Sequence, residues 1–213
     1  MEPDSDNIRN LNDLNGILKI SFKDDIIDSL INNNELDILV QKNAIKPIVK
    51  FLRDDSNSLF TQLIDIFAVD YPEKQKRFQI IYRLLSMTHN QRLLIRVDLS
   101  DGESIESISE IFSNSNWLER EVWDMYGVLF SDHPDLRRIL TDYGFEGHPQ
   151  RKDFPLTGYL ELRYDETEKR VVYDKVKLDQ QFRNFDFLSP WEGAEHAHNQ
   201  VTLPGDEKAS NDG

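Results

Sequence analysis

The sequence predicts an α+β fold. Helices pack on a mainly antiparallel sheet, and a long extended, irregular C-terminal segment containing a β-hairpin follows. Three observations carry this. First, two alternating apolar runs, "KRFQIIYRLLSM" (76–87) and "QRLLIRVDLS" (91–100), are joined by only "THN" (88–90). So short a link makes a hairpin, hence antiparallel neighbours. Second, apolar residues recur at helical spacing on either side of these runs. Third, the pattern stops at Gly127, and proline, glycine and charge take over.

In order along the chain, residues 1–22 read as a flexible lead-in. "FKDDIIDSLI" reads as a short helix and "ELDILV" as a short strand. "NAIKPIVKFLRDD" places Ile45, Ile48, Val49 and Leu52 on one helix face, with Pro47 near the start, where proline is tolerated. "LFTQLIDIFAVDYP" (59–72) is β-branched and aromatic, and Pro72 ends it. The two alternating strands come next. "DGESIESISEIFSNS" then offers Ile105, Ile108, Ile111 and Phe112 as a helix face, with Ser104 as the cap. A further helix runs from about Trp117 to Tyr126, and Gly127 stands where a terminating glycine belongs. Residues 23–127 thus make an α+β domain. Residues 128–192 form the extended segment, which includes a hairpin over 159–176 with the turn "DETEK". Residues 193–213 are a polar tail.

Composition excludes several classes of function. Among 213 residues, 39 acids outnumber 25 lysines and arginines, for a net charge of −14. That argues against nucleic acid and against direct docking on an anionic membrane. No apolar run is long enough to span a bilayer. With no cysteine, the chain carries no disulfide, thiolate zinc site, cysteine-ligated iron–sulfur cluster or cysteine nucleophile. The opening "MEPDSDNIRN" resembles neither a secretory signal nor an arginine-rich transit peptide. Neither glycine-rich phosphate loop occurs, nor a G-x-S-x-G elbow, nor H-E-x-x-H.

The stretch "WLEREVWDMYGVLF" (117–130) concentrates the remaining chemistry. Leu118, Val122, Met125 and Tyr126 share one helical face and form its core stripe. Glu119 and Glu121 point away from each other, which makes them a poor acid–base pair. Arg120 and Asp124 are four apart and are expected to pair along the helix. Trp123, beside the charges, suits contact with a partner or with the C-terminal segment. In that segment Arg137, Arg138, Arg151 and Lys152 leave two roles open. One is an anionic ligand. The other is ion pairing with Glu119, Glu121, Asp124 or a neighbour's acids, which the need to tie down irregular backbone favours. His89, His133 and His148 read as structural or solvated, and the His196-x-His198 pair alone makes a weak metal signal. "FRNFDFLSPW" puts Phe182, Phe185, Phe187 and Trp191 where no regular pattern would bury them, which suggests a partner surface.

Several long motifs in order carry a resemblance. "EREVWDMYG" (119–127), "LRRILTDYGFEGHPQRKDFPLTGY" (136–159), "FRNFDFLSPWE" (182–192) and "VDYPEKQKRFQIIYRLLS" (69–86) resemble the C-type subunit family of respiratory complex I, NADH-quinone oxidoreductase. This is the 30 kDa type, called subunit 9 in mitochondrial naming. The resemblance covers roughly residues 59–192. It implies a non-catalytic subunit of the peripheral arm that carries neither flavin nor iron–sulfur cluster, those lying on neighbouring subunits. It implies docking on the 49 kDa-type subunit (the D type), with the C-terminal segment wrapped along it and other peripheral-arm subunits nearby. Glu119, Arg120, Glu121, Trp123, Asp124, Tyr126, Gly127, Arg137, Arg138, Arg151, Asp153, Phe185, Phe187 and Trp191 then read as a docking and structural set, with no catalytic or metal-binding residue. The alternative is the equivalent subunit of a membrane-bound hydrogenase-type complex. The acidic balance and the absence of a leader point to the cytoplasmic face of a bacterial plasma membrane. The mitochondrial matrix face is the alternative. Outside this family, the competing expectations are a small hydrolase using Glu119, Glu121 or His196 and His198, and an adaptor outside respiration.

Overall fold

A computed structural model of the chain describes residues 5–180. The fold class is α+β, as predicted. A five-stranded sheet runs in the order β1 (Ile26–Asn32), β2 (Glu35–Val40), β5 (Gln91–Leu99), β4 (Phe78–Ser86), β3 (Gln62–Asp70). Every neighbouring pair is antiparallel except β2 with β5. The β4–β5 hairpin forms where "THN" predicts it, and Asn90 takes the left-handed conformation (φ 50°) that turns the chain. Strict alternation follows. On β5, Leu93, Ile95, Val97 and Leu99 are buried against the helices while Leu94, Arg96 and Asp98 are only half-buried on the other face.

Helix α2 (Ile45–Asp54) buries the four residues that its spacing selects, Ile45, Ile48, Val49 and Leu52. Each such side chain contributes about 1.5–3 kcal/mol by leaving water. A single 3-10 turn, Lys42–Ala44, leads into it. They share one core with Phe78, Ile80, Tyr82 and Leu84 of β4.

Four expectations are corrected. The lead-in is a helix, α1 (Ser5–Ser21), and Leu11, Leu14 and Leu18 are buried in the common core. Their three- and four-residue spacing is a helix face, diluted by the asparagines and glycine between them. "FKDDIIDSLI" contributes strand β1, not a helix. Asn33 and Asn34, at φ 49° and 59°, form the two-residue turn that folds β1 onto β2, and the aspartates and β-branched isoleucines favour strand over helix. Residues 104–112 are also not helical. Ser104–Glu106 forms β6, parallel to β7 (Leu129–Ser131), and a run of turns follows. Ser107 Oγ takes the Ser109 amide at 3.1 Å, the local bond by which serine competes with a helix. Ile105, Ile108 and Phe112 are nevertheless buried, so the periodicity identifies core residues while misreading their conformation.

The fourth correction concerns organisation. Two compact units divide between Tyr159 and Leu160, not at Gly127. The loop from 128 to 159 belongs to the same compact unit as the sheet. In the second unit the hairpin forms as expected, from β8 (Leu160–Asp165) and β9 (Arg170–Lys175). The expectations for Phe182, Phe185, Phe187, Trp191, His196 and His198, and for the polar tail, lie outside the described residues.

Candidate functional site

Helix α3 (Ser115–Tyr126) carries the motif, and the loop behind it closes over its C-terminal end. The last carbonyls of any helix lack intrahelical partners. Here each is taken. Gly127 N–H donates to Trp123 O at 2.8 Å, His148 Nδ1 bonds Asp124 O at 2.9 Å, Gln150 N–H reaches Met125 O at 3.1 Å, and Arg151 Nε reaches Tyr126 O at 2.6 Å. Arg151 also brings positive charge to the negative end of the helix dipole. Gly127 is required twice. Its φ is +78°, and a Cβ there would lie 2.6 Å from His148 Nε2 and 2.8 Å from Arg151 Nη2.

Asp124 is the hub. Its carboxylate is buried, and Oδ2 accepts the amides of Ile139 (3.1 Å), Leu140 (2.9 Å) and Thr141 (3.0 Å). Oδ1 accepts the Thr141 hydroxyl at 2.6 Å and Arg138 Nη1 at 2.7 Å. Burial alone would raise its pKa. The Thr141 hydroxyl, the Thr141 and Leu140 amides and Arg138 outweigh it and hold the carboxyl well below the usual carboxylate range. Arg138 continues to Gly147 O at 3.1 Å and stacks over Trp123 and Phe145.

The expected Arg120–Asp124 pair is not formed. Arg120 turns the other way and donates to the carbonyls of Arg137 and Arg138, each at 3.0 Å. A neighbour with three amides and an arginine to offer outcompetes a single pair along the helix. Arg137 contributes through its backbone, while its side chain is exposed and pairs with Asp135. Glu119 and Glu121 diverge as expected, the first fully buried and the second exposed. Val122 and Met125 are buried and Leu118 and Tyr126 pack beside them, as the core stripe requires. Trp123 is half-buried against the core and meets His148 edge-on, so it contacts the returning segment of its own chain. Trp117 is exposed.

A second tie holds the loop to the sheet. Asp70, at the end of β3, accepts Arg77 through both oxygens (2.7 and 2.9 Å) and the Lys152 amide at 2.8 Å. Arg77 Nη1 reaches Asp153 at 3.1 Å, and Arg151 reaches Asp101 at 3.2 Å. The Arg77 bond, with the Lys152 amide, holds the Asp70 carboxyl below its ordinary value against the opposing effect of burial. Thr141, Asp70, Arg77 and Asp101 escape sequence reasoning, whereas His148 takes the structural role, one of the two expected of it. Asp124 lies 17 residues from Thr141 and Arg151 lies 50 from Asp101, while Asp70 and Arg77 meet across the β3–β4 turn, where no residue pattern marks the pair.

Chemically, the arrangement is a clasp. Among the described residues no group of three or more His, Cys, Asp or Glu side chains is placed to hold a metal ion. Arg137, Arg138 and Arg151 are engaged with acids and carbonyls of the same unit, while the Lys152 ammonium lies over the Tyr71 ring.

The family model described as "Respiratory-chain NADH dehydrogenase, 30 Kd subunit" matches residues 38–160. A protein of Rhodospirillum rubrum, named as the C-type subunit of NADH-quinone oxidoreductase, is 52% identical over 202 residues, 95% of this chain and 94% of that protein. One of the same name from Parvibaculum lavamentivorans is 59% identical over 175 residues, 82% of this chain and 85% of its own length. Among solved structures, a chain of the membrane-bound sulfane sulfur reductase, an archaeal respiratory membrane complex, superposes with a TM-score of 0.58 at 20% identity. That match covers 68% of this chain and 85% of the other, and it shows a shared fold alone.

Proposed function

The chain belongs to the 30 kDa subunit family of respiratory-chain NADH dehydrogenase, and on that premise we propose that it is a structural subunit of the peripheral arm of NADH:quinone oxidoreductase. It carries no reacting group and no cofactor of its own. It docks on the 49 kDa-type subunit, and the flavin and iron–sulfur clusters lie on neighbours. Its place is the cytoplasmic face of a bacterial plasma membrane, where it sits peripherally. The bacterial relatives support the bacterial setting. Among the described residues no helix is long and apolar enough to cross a membrane.

One observation carries the docking role. The β8–β9 hairpin leaves Leu160, Leu162, Tyr164, Val171 and Tyr173 exposed. A lone two-stranded hairpin is marginal in water, and apolar surface on this scale marks a partner site. Tyrosine suits such a site because it buries a ring while keeping its hydroxyl hydrated. The α3 clasp plays a different part, since its polar groups bond within the chain and hold one unit rigid for docking.

Leu162 and Tyr173 face each other across the hairpin. Replacing both with serine in the full chain is expected to leave the melting transition of the sheet unchanged and to deplete the assembled arm. Wild-type amounts of assembled complex carrying the double variant would refute the docking role of the hairpin.

A further inference from the structure

The motif helix also places a carboxyl group where no charge is compensated. Glu119 is fully buried on the core side of α3. Oε1 accepts the Ile108 amide at 2.8 Å, and Oε2 has no hydrogen-bond partner. Groups converge on it from every element packed around it. Ser107 and Ile108 come from the turn after β6, Ser115 from the first turn of α3, Tyr82 from β4 and His133 from the loop after β7. Tyr82 Oη and Ser115 Oγ are likewise buried without a hydrogen-bond partner.

His133 is the one candidate counter-charge, with Nε2 3.9 Å from Glu119 Oε2. Its bonds fit the tautomer that carries its proton on Nε2. Nε2 lies 3.0 Å from the Asn116 carbonyl, so it must donate, and Nδ1 lies 3.1 Å from the Asp135 amide N–H, so it must accept. An imidazolium would need a proton on Nδ1, pointing at another N–H. The pocket therefore offers the carboxyl one neutral amide donor and polar hydroxyls, but no cation. An unpaired buried carboxylate is far costlier than a buried acid.

We infer that Glu119 is a proton-holding site, a neutral carboxylic acid at neutral pH inside an uncharged cluster with Tyr82, His133, Ser107 and Ser115. Burial supports this by pushing the Glu119 carboxyl upward, against the weaker opposing pulls of Ser107, the Ile108 amide, a charged His133 and Ser115. The consequence is a clasp of opposite sign to that of Asp124. Its contribution to stability is full below the unfolded value of a glutamic acid and is lost as pH rises through the higher folded value. The neutral acid fastens the 107–114 turn to α3, and ionisation would loosen it.

Infrared spectra of the full chain at pH 7 test this. Glu119 is the one buried glutamate among the described residues. A carbonyl band of a protonated acid is expected, shifted by 13C labelling of glutamate and absent from Glu119→Gln. That variant should also lose the fall in stability that begins above the unfolded glutamic-acid value, which in the wild type reaches about tenfold in the folding constant per pH unit within the window. No acid band at pH 7, or a band that persists in Glu119→Gln, overturns the assignment. If Glu119→Gln does not fold, the isotope shift of the wild-type band decides alone, because an unshifted band excludes any glutamate.

Discussion

Truncating Asp124 to alanine should release the 137–151 loop without melting the sheet beneath it. The substitution removes five hydrogen bonds at once. Three come from consecutive amides, one from the Thr141 hydroxyl and one from Arg138. Removing one partner of a buried, hydrogen-bonded ion pair costs about 3–5 kcal/mol. Arg138 keeps some access to water and the freed amides lie near the surface, so the lower end applies. About 3 kcal/mol corresponds to roughly a hundredfold change in an opening equilibrium. Asp124→Asn should cost less, about 1–2 kcal/mol. Its oxygen can keep the three amides on the Oδ2 side, while its amide nitrogen faces Arg138 Nη1 and loses the charge. Hydrogen exchange followed by mass spectrometry on the full chain reads both variants. Peptides spanning 137–151 should lose protection by about two orders of magnitude in Asp124→Ala, and those of β4 and β5 should be unchanged. Wild-type exchange at residues 139–141 would refute the hub. Equal loss of protection in loop and sheet would refute the separation of the two.

Leu18→Ala should destabilise the chain by about 2–4 kcal/mol in urea unfolding, while Ile20→Ala, at an exposed position of the same helix, should stay within about 0.5 kcal/mol. Equal effects would mean that α1 does not belong to the core. Gly127→Ala and Gly102→Ala share a positive φ, which costs about 1–2 kcal/mol at each. Only Gly127 would also drive a Cβ into His148 and Arg151, so its melting temperature should fall further than that of Gly102→Ala. Acid should unfold the clasp with a known sign. Asp70 and Asp124 sit below their ordinary values, so their stabilisation is present above the unfolded carboxylate value of about 3.9 and is lost as pH falls through the folded values. Asp70→Asn should flatten the acid limb of a circular-dichroism titration, and an unchanged limb would contradict the Arg77 pairing.

What the sequence makes legible follows from range. The β4–β5 hairpin and α2 are readable because both the pattern and its partner lie within a few residues, and Gly127 is readable because a helix end needs a left-handed residue nearby. The segment with Ile105 and Ile108 is half-readable. Its apolar spacing reports burial correctly, but a parallel partner, Leu129–Ser131, decides the conformation from more than twenty residues away. In the motif, the types of residue are informative while their pairing is not. Arg120 and Asp124 match at helical spacing, yet each finds a better partner in the loop. The loop supplies backbone amides and carbonyls to the clasp, and no residue type announces those. Buried Glu119 differs in kind, since its motif is plain in the sequence and its neutral surroundings arise only when four separate segments meet.

The most direct test of the central claim uses the tagged full chain in its own membranes. After mild-detergent extraction, a native gel is stained for NADH oxidation. The chain is expected in a large NADH-oxidising band that also contains the 49 kDa-type subunit, and depleting it should remove that band together with quinone reduction. A small species free of partners, with NADH:quinone activity intact after depletion, would contradict a structural subunit of this complex.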